Sequence, residues 1–152
     1  MLRFYKTGET AIEEIEGIEA GCWISATAPT EAEITRLETD LGIDRDFIRS
    51  ALDEEESSRI ENDEGQTLIV LDYPVAERME DDDQTFSYYT MPMGIILTDS
   101  YVITVSLKEN SNYRRFCERR CKKRQNPVQN ALHFLSAASY RGEISAILKT
   151  NR

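Results

Sequence analysis

Gly94-Ile95-Ile96-Leu97-Thr98-Asp99-Ser100-Tyr101-Val102-Ile103-Thr104-Val105 places two apolar runs on either side of a short polar turn. It lies inside two strand-like segments, Phe86–Leu97 and Tyr101–Leu107, which flank the turn formers Thr98, Asp99 and Ser100 and so read as a hairpin. Pro92 cannot donate a ladder hydrogen bond, so it marks a bulge or an edge in the first of them. Upstream, Arg59–Asn62 and Gln66–Tyr73 flank Asp63-Glu64-Gly65 as a second hairpin. Leu68–Leu71 is continuously apolar, which predicts cover on both faces of that strand. The acidic run Glu80-Asp81-Asp82-Asp83 is expected in a loop between the two hairpins, as a solvated turn.

Further upstream the pattern moves from strands to helices. Leu2–Thr7 alternates Leu2 and Phe4 with polar neighbours, Ala11–Ile15 suits a second strand, and Cys22–Ala26 a third centred on Trp23. Thr30 and Glu33 form a capping box, Ile34, Leu37 and Leu41 follow at helical spacing, and Gly42 ends the helix. Asp44 caps a short second helix that buries Phe47, Ile48, Ala51 and Leu52. Downstream, Tyr113–Arg124 is helical and basic, Asn126-Pro127 breaks it, and a long helix starts at Val128. Val128, Ala131, Leu132, Leu135 and Ala138 lie on one side of that helix, while Ala137, Tyr140, Ile144, Ile147 and Leu148 lie nearly opposite. One core claims one stripe. The second calls for a neighbouring helix, another subunit or chain beyond Arg152, and the reading favours a chain cut short. The fold class is therefore α/β, with a mixed sheet.

The chain has 152 residues, one domain's worth, and 40% of them are apolar. Its net charge of −10 repels nucleic acid and anionic lipid and attracts cations. No apolar run approaches the ~20 residues of a membrane helix, and Arg3, Lys6 and Glu9 interrupt any signal peptide. Cys22, Cys117 and Cys121 are too few for a disulfide framework, and a reducing compartment fits them.

Candidate chemistry is sparse. Cys117 and Cys121 share a helix face, but further zinc ligands are confined to Cys22 and His133, and the neighbouring arginines oppose a cation, so structural cysteines are expected. The acidic segment Asp53-Glu54-Glu55-Glu56 offers oxygen ligands to a hard cation yet lacks the spacing of a calcium loop. Tyr113 and Phe116 on the basic helix suit core packing better than base stacking, so no nucleic-acid role is expected. No nucleophile-and-base arrangement or phosphate-binding glycine loop suggests an enzyme.

With those residues laid out, the chain resembles the N-terminal domain of the CorA family of magnesium and cobalt channels. Four stretches carry the likeness: Cys22–Thr27, Gly42-Ile43 with the helix to Ala51-Leu52, Arg59–Leu71, and Gly94–Val105. The resemblance implies an α/β/α sandwich over residues 1–125, followed over 126–152 by the start of a stalk helix leading to membrane helices not contained in the chain. It implies a regulatory or scaffold domain on the cytoplasmic side of the cell membrane, in a homopentamer that conducts Mg2+ or Co2+. It implies no enzyme, no cofactor beyond that ion, and membrane contact only through the missing part. A regulatory metal between neighbouring domains is expected from a family aspartate beside the Ala51-Leu52 pair. Ser50 stands there instead, so either the site is lost or Asp53 and Glu54 serve. The usual acids of the late helix are also replaced, by Ser136 and Ser139 among others. A zinc-transporting relative, and a free-standing cytoplasmic dimerising protein, are the alternative readings.

Overall fold

The computed structural model describes residues 1–8, 12–79 and 82–109. Seven strands form one sheet: β1 (Leu2–Thr7), β2 (Ile12–Ile15), β3 (Trp23–Thr27), β4 (Arg59–Asp63), β5 (Gln66–Met79), β6 (Asp82–Leu97) and β7 (Val102–Ser106), with α1 (Glu31–Leu41) and α2 (Arg45–Ser50) between β3 and β4. The order across the sheet is β2-β1-β3-β7-β6-β5-β4. Only β3 and β7 run parallel, so the sheet is mixed, as expected.

The signals read from sequence for the first two helices are in place. Thr30 accepts from the Glu33 N–H while Glu33 reaches back to the Thr30 N–H, closing the capping box of α1. Gly42 ends the helix at φ 67°, the left-handed conformation that costs glycine little. The Asp44 side chain caps α2 at the Asp46 N–H. Both helices lie on one face of the sheet, where Ile34, Leu37, Phe47, Ile48 and Ala51 meet Ile24, Leu68, Ile96 and Ile103. The opposite face carries Ile69, Tyr73, Met93, Ile95 and Val102, also buried, with Trp23 packed against them. Leu68, Ile69 and Val70 are buried on alternating faces, which is why that stretch has no polar position.

Two expectations are corrected. Both hairpins read from sequence form, β4 with β5 and β6 with β7, but β5 and β6 run past the bounds read for them and also pair with each other, from Thr67↔Leu97 to Met79↔Asp82. Asp82 and Asp83 of the acidic run therefore belong to β6 rather than to a loop, and Glu80 and Asp81 lie outside the described residues. The segment read as loop keeps strand logic: Val75 faces Tyr89 across the ladder, a β-branched residue against an aromatic. Pro74 is tolerated because β4 has already ended, at Arg59↔Val70. Of the bulge or edge expected at Pro92 the structure shows the edge, and the register shift of this ladder lies between Arg78 and Met79. Pro92 does mark an edge, since β6 pairs with β7 only from Met93 onward. The outer pairs, from Asp72↔Pro92 to Met79↔Asp82, thus form a two-stranded ribbon with no third strand among the described residues. The basic helix, the division at residue 125 and the stalk helix fall outside the described residues.

Candidate functional site

The corner where α2 passes into β4 gathers the residues singled out as metal candidates. α2 ends at Ser50 and Ala51, and the chain then turns through Asp53 and Glu56. Asp53 builds that turn. Its Oδ1 accepts the Glu55 N–H at 3.0 Å and its carbonyl accepts the Glu56 N–H at 3.2 Å, the self-bonding that makes aspartate a turn former. Asp53 and Glu54 are both exposed, side by side in sequence. Among the described residues no cation pairs with either, and no three His, Cys, Asp or Glu side chains converge on a point that would hold a metal.

Beside them sits a cation that belongs to the chain. Arg59 opens β4 and bonds Glu56 at 2.5 Å and Glu61 at 3.1 Å, while its Nη2 donates to Ser50 Oγ at 3.2 Å. The guanidinium thus faces the very position where the resemblance expects a carboxylate. Arg59, helped by the Ser57 N–H, holds the Glu56 carboxyl below its usual range. Two of the acids at this corner are thereby neutralised internally, leaving Asp53, Glu54 and Glu55 to solvent or to a ligand. The sequence reading missed Arg59. Its signal was available: Glu61 is two residues on, so both side chains leave the same face of a strand.

The other candidates are placed more simply. Cys22 is fully buried under the helices, and burial pushes its thiol up, away from the thiolate a metal needs. Cys117, Cys121 and His133 lie outside the described residues. Arg45 ties α1 to α2 through Glu38 at 2.7 Å and Glu31 at 2.6 Å, and Arg49 reaches Glu31 at 3.4 Å, so ion pairs bridge the two helices beside the corner. No helix among the described residues is long and apolar enough to cross a membrane.

Comparison with known proteins gives this corner its context. The family described as "CorA-like Mg2+ transporter protein" matches residues 19–144. No curated protein matches the chain. Among solved structures, the complete CorA magnesium transporter from Methanocaldococcus jannaschii superposes with a TM-score of 0.68 at 19% identity, over 99% of this chain and 47% of that one. The soluble domain of the same transporter gives 0.63 at 20% identity, over 99% of this chain and 60% of that one. The full-length CmaX protein gives 0.64 at 10% identity, over 98% of this chain and 47% of that one. At these identities the superpositions establish a shared fold, and the chain spans about half the length of the full-length relatives.

Proposed function

Because this chain belongs to the CorA-like Mg2+ transporter family, we propose that it forms the membrane-distal domain of a divalent-cation channel and takes no part in covalent catalysis. The family match over residues 19–144 carries this reading, and the fold shared with the soluble domain of an archaeal CorA supports it. The domain packs against sister domains in a homopentamer, on the cytoplasmic side of the cell membrane. Mg2+ is the cargo, with Co2+ or Zn2+ as further ions of the same charge. The domain biases the pore through the chain that leaves the sheet after β7, and a cation with different affinities for two packing arrangements supplies the coupling.

The α2–β4 corner is the place where such a cation acts. Asp53 and Glu54 are exposed carboxylates lacking a paired cation among the described residues, and they sit next to the position the resemblance assigns to metal. Two carboxylates do not fill the six or more oxygen positions a hard cation takes. The remaining ligands come from water or from a neighbouring domain, which makes the site depend on assembly. Arg59 opposes it, so regulation at this corner is weaker than a cluster of free acids would give.

The experiment is expression of the whole gene product in cells stripped of their Mg2+ uptake systems. Restored growth at low external Mg2+ is expected. Absence of growth, with the protein present in the membrane fraction, overturns the reading.

A further inference from the structure

The ladder between β6 and β7 stops at Met93↔Ser106. One more step in that register would set Leu107 against Pro92, which has no N–H to give. Beyond this point side chains replace the ladder. The Tyr73 hydroxyl, on β5, donates to the Lys108 carbonyl at 2.9 Å, and Ser106 Oγ donates to the same oxygen at 3.1 Å. Lys108 Nζ then donates to both oxygens of Glu77, at 3.2 and 3.1 Å, and to the hydroxyl of Tyr89. It also lies 5.1 Å from the centre of the Tyr89 ring. Tyr89 passes a hydrogen bond on to Glu77 at 2.8 Å. Ammonium, phenol and carboxylate close a ring in which each bond polarises the next.

We infer that Lys108 is a latch coupling the projecting β5–β6 ribbon to the chain that leaves the sheet after β7. Glu77 stands on one strand of the ribbon and Tyr89 on the other, while the backbone of Lys108 belongs to the departing chain. A two-stranded ribbon is marginal by itself, so a side chain that clasps both strands sets its position. The same residue's carbonyl fixes where the departing chain begins. Displacing either partner therefore moves the other.

The latch is built to open. The Lys108 and Glu77 side chains are 42% and 57% exposed, so their pairing is screened by salt and reversible. It is not a titration switch near neutrality, because the Tyr89 hydroxyl and Glu77 hold the lysine charged, with its pKa pushed up to about 12. The inference concerns the coupling alone and stands whether or not the whole protein conducts Mg2+.

Amide hydrogen exchange tests it, on the unaltered chain at low and high salt and on Lys108→Met and Glu77→Gln. Lys108→Met is expected to speed exchange in the ribbon, residues 75–78 and 86–90, about two- to fivefold, the scale of an exposed ion pair. Because coupling is reciprocal, Glu77→Gln on the ribbon should speed exchange at 106–109 by a similar factor. Salt should reproduce both effects in the unaltered chain and add nothing in Lys108→Met. If each substitution loosens only the element it lies on, or if salt leaves the ribbon unchanged in the unaltered chain, the latch is overturned.

Discussion

A Cβ added to Gly94 would lie 2.4 Å from the Cβ of Ala51 and 3.5 Å from its Cα, so the end of α2 rests directly on the backbone of β6. These two positions belong to separate stretches of the resemblance read from sequence, and the structure shows one contact joining them. Gly94 is needed here for space, since its φ is not in the left-handed range. Gly94→Ala should destabilise the domain by about 1–3 kcal/mol, the usual cost of overfilling a packed contact. Ala51→Gly in the same chain should return part of that loss. Urea unfolding of the single and double variants measures both, and a Gly94→Ala variant as stable as the parent would show that α2 does not press on β6.

The charge of Glu33 makes a second prediction, about pH. Burial opposes ionisation of Glu33, but bonds from the Thr30 N–H, from the amino terminus and from the Thr30 hydroxyl outweigh it and lower its pKa. A carboxylate depressed on folding stabilises the native state above its unfolded value, about 4.3. That stability is lost as pH falls through the lower folded value. Thermal melts should therefore show a loss of stability below about pH 4.5, and Glu33→Gln should shrink the part of that loss this group supplies. An identical acid limb in the variant would contradict the assignment. Thr30→Ala, which removes the cap, should cost about 1 kcal/mol at neutral pH.

Arg59 gives the prediction that bears on metal. Its guanidinium neutralises Glu56 and Glu61 beside Asp53 and Glu54. Arg59→Gln should raise Co2+ or Mn2+ affinity at this corner roughly three- to tenfold, the scale of removing a unit charge a few ångströms from a divalent ion in water. Asp53→Asn with Glu54→Gln should abolish the gain. Paramagnetic broadening of nearby amide signals during a Mn2+ titration reports both. Broadening that does not grow in Arg59→Gln, or that survives the double substitution, would remove the corner as a cation site.

Much of this architecture was legible in the chain, for reasons that differ between elements. α1 was readable because its signals are local: Thr30, Glu33 and Gly42 each act on backbone within one turn. The strand through Leu68–Val70 was readable because burial on both faces leaves no polar position. The ribbon was not, because its outer segments look like loop: Pro74 interrupts the pattern and the acidic run resembles a solvated linker. What holds them is pairing across the ladder, such as Val75 against Tyr89, which no single segment reveals. At the candidate site the exposed acids could be named from sequence. The cation set against them was legible only in part: Glu61 marks the strand face of Arg59, but the Ser50–Arg59 contact depends on how the end of α2 lies beside the start of β4. Lys108 was missed for the same reason: its partners Glu77 and Tyr89 are 31 and 19 residues away.

If this domain serves a divalent-cation channel, the whole protein must pass ions, and flux measures that without an intermediary. The whole gene product, reconstituted into liposomes containing a Mg2+-sensitive dye, is expected to admit Mg2+ down its gradient and to pass less as Mg2+ rises on the side this domain faces. Liposomes that hold the assembled protein yet admit neither Mg2+, Co2+ nor Zn2+ faster than empty ones would contradict it.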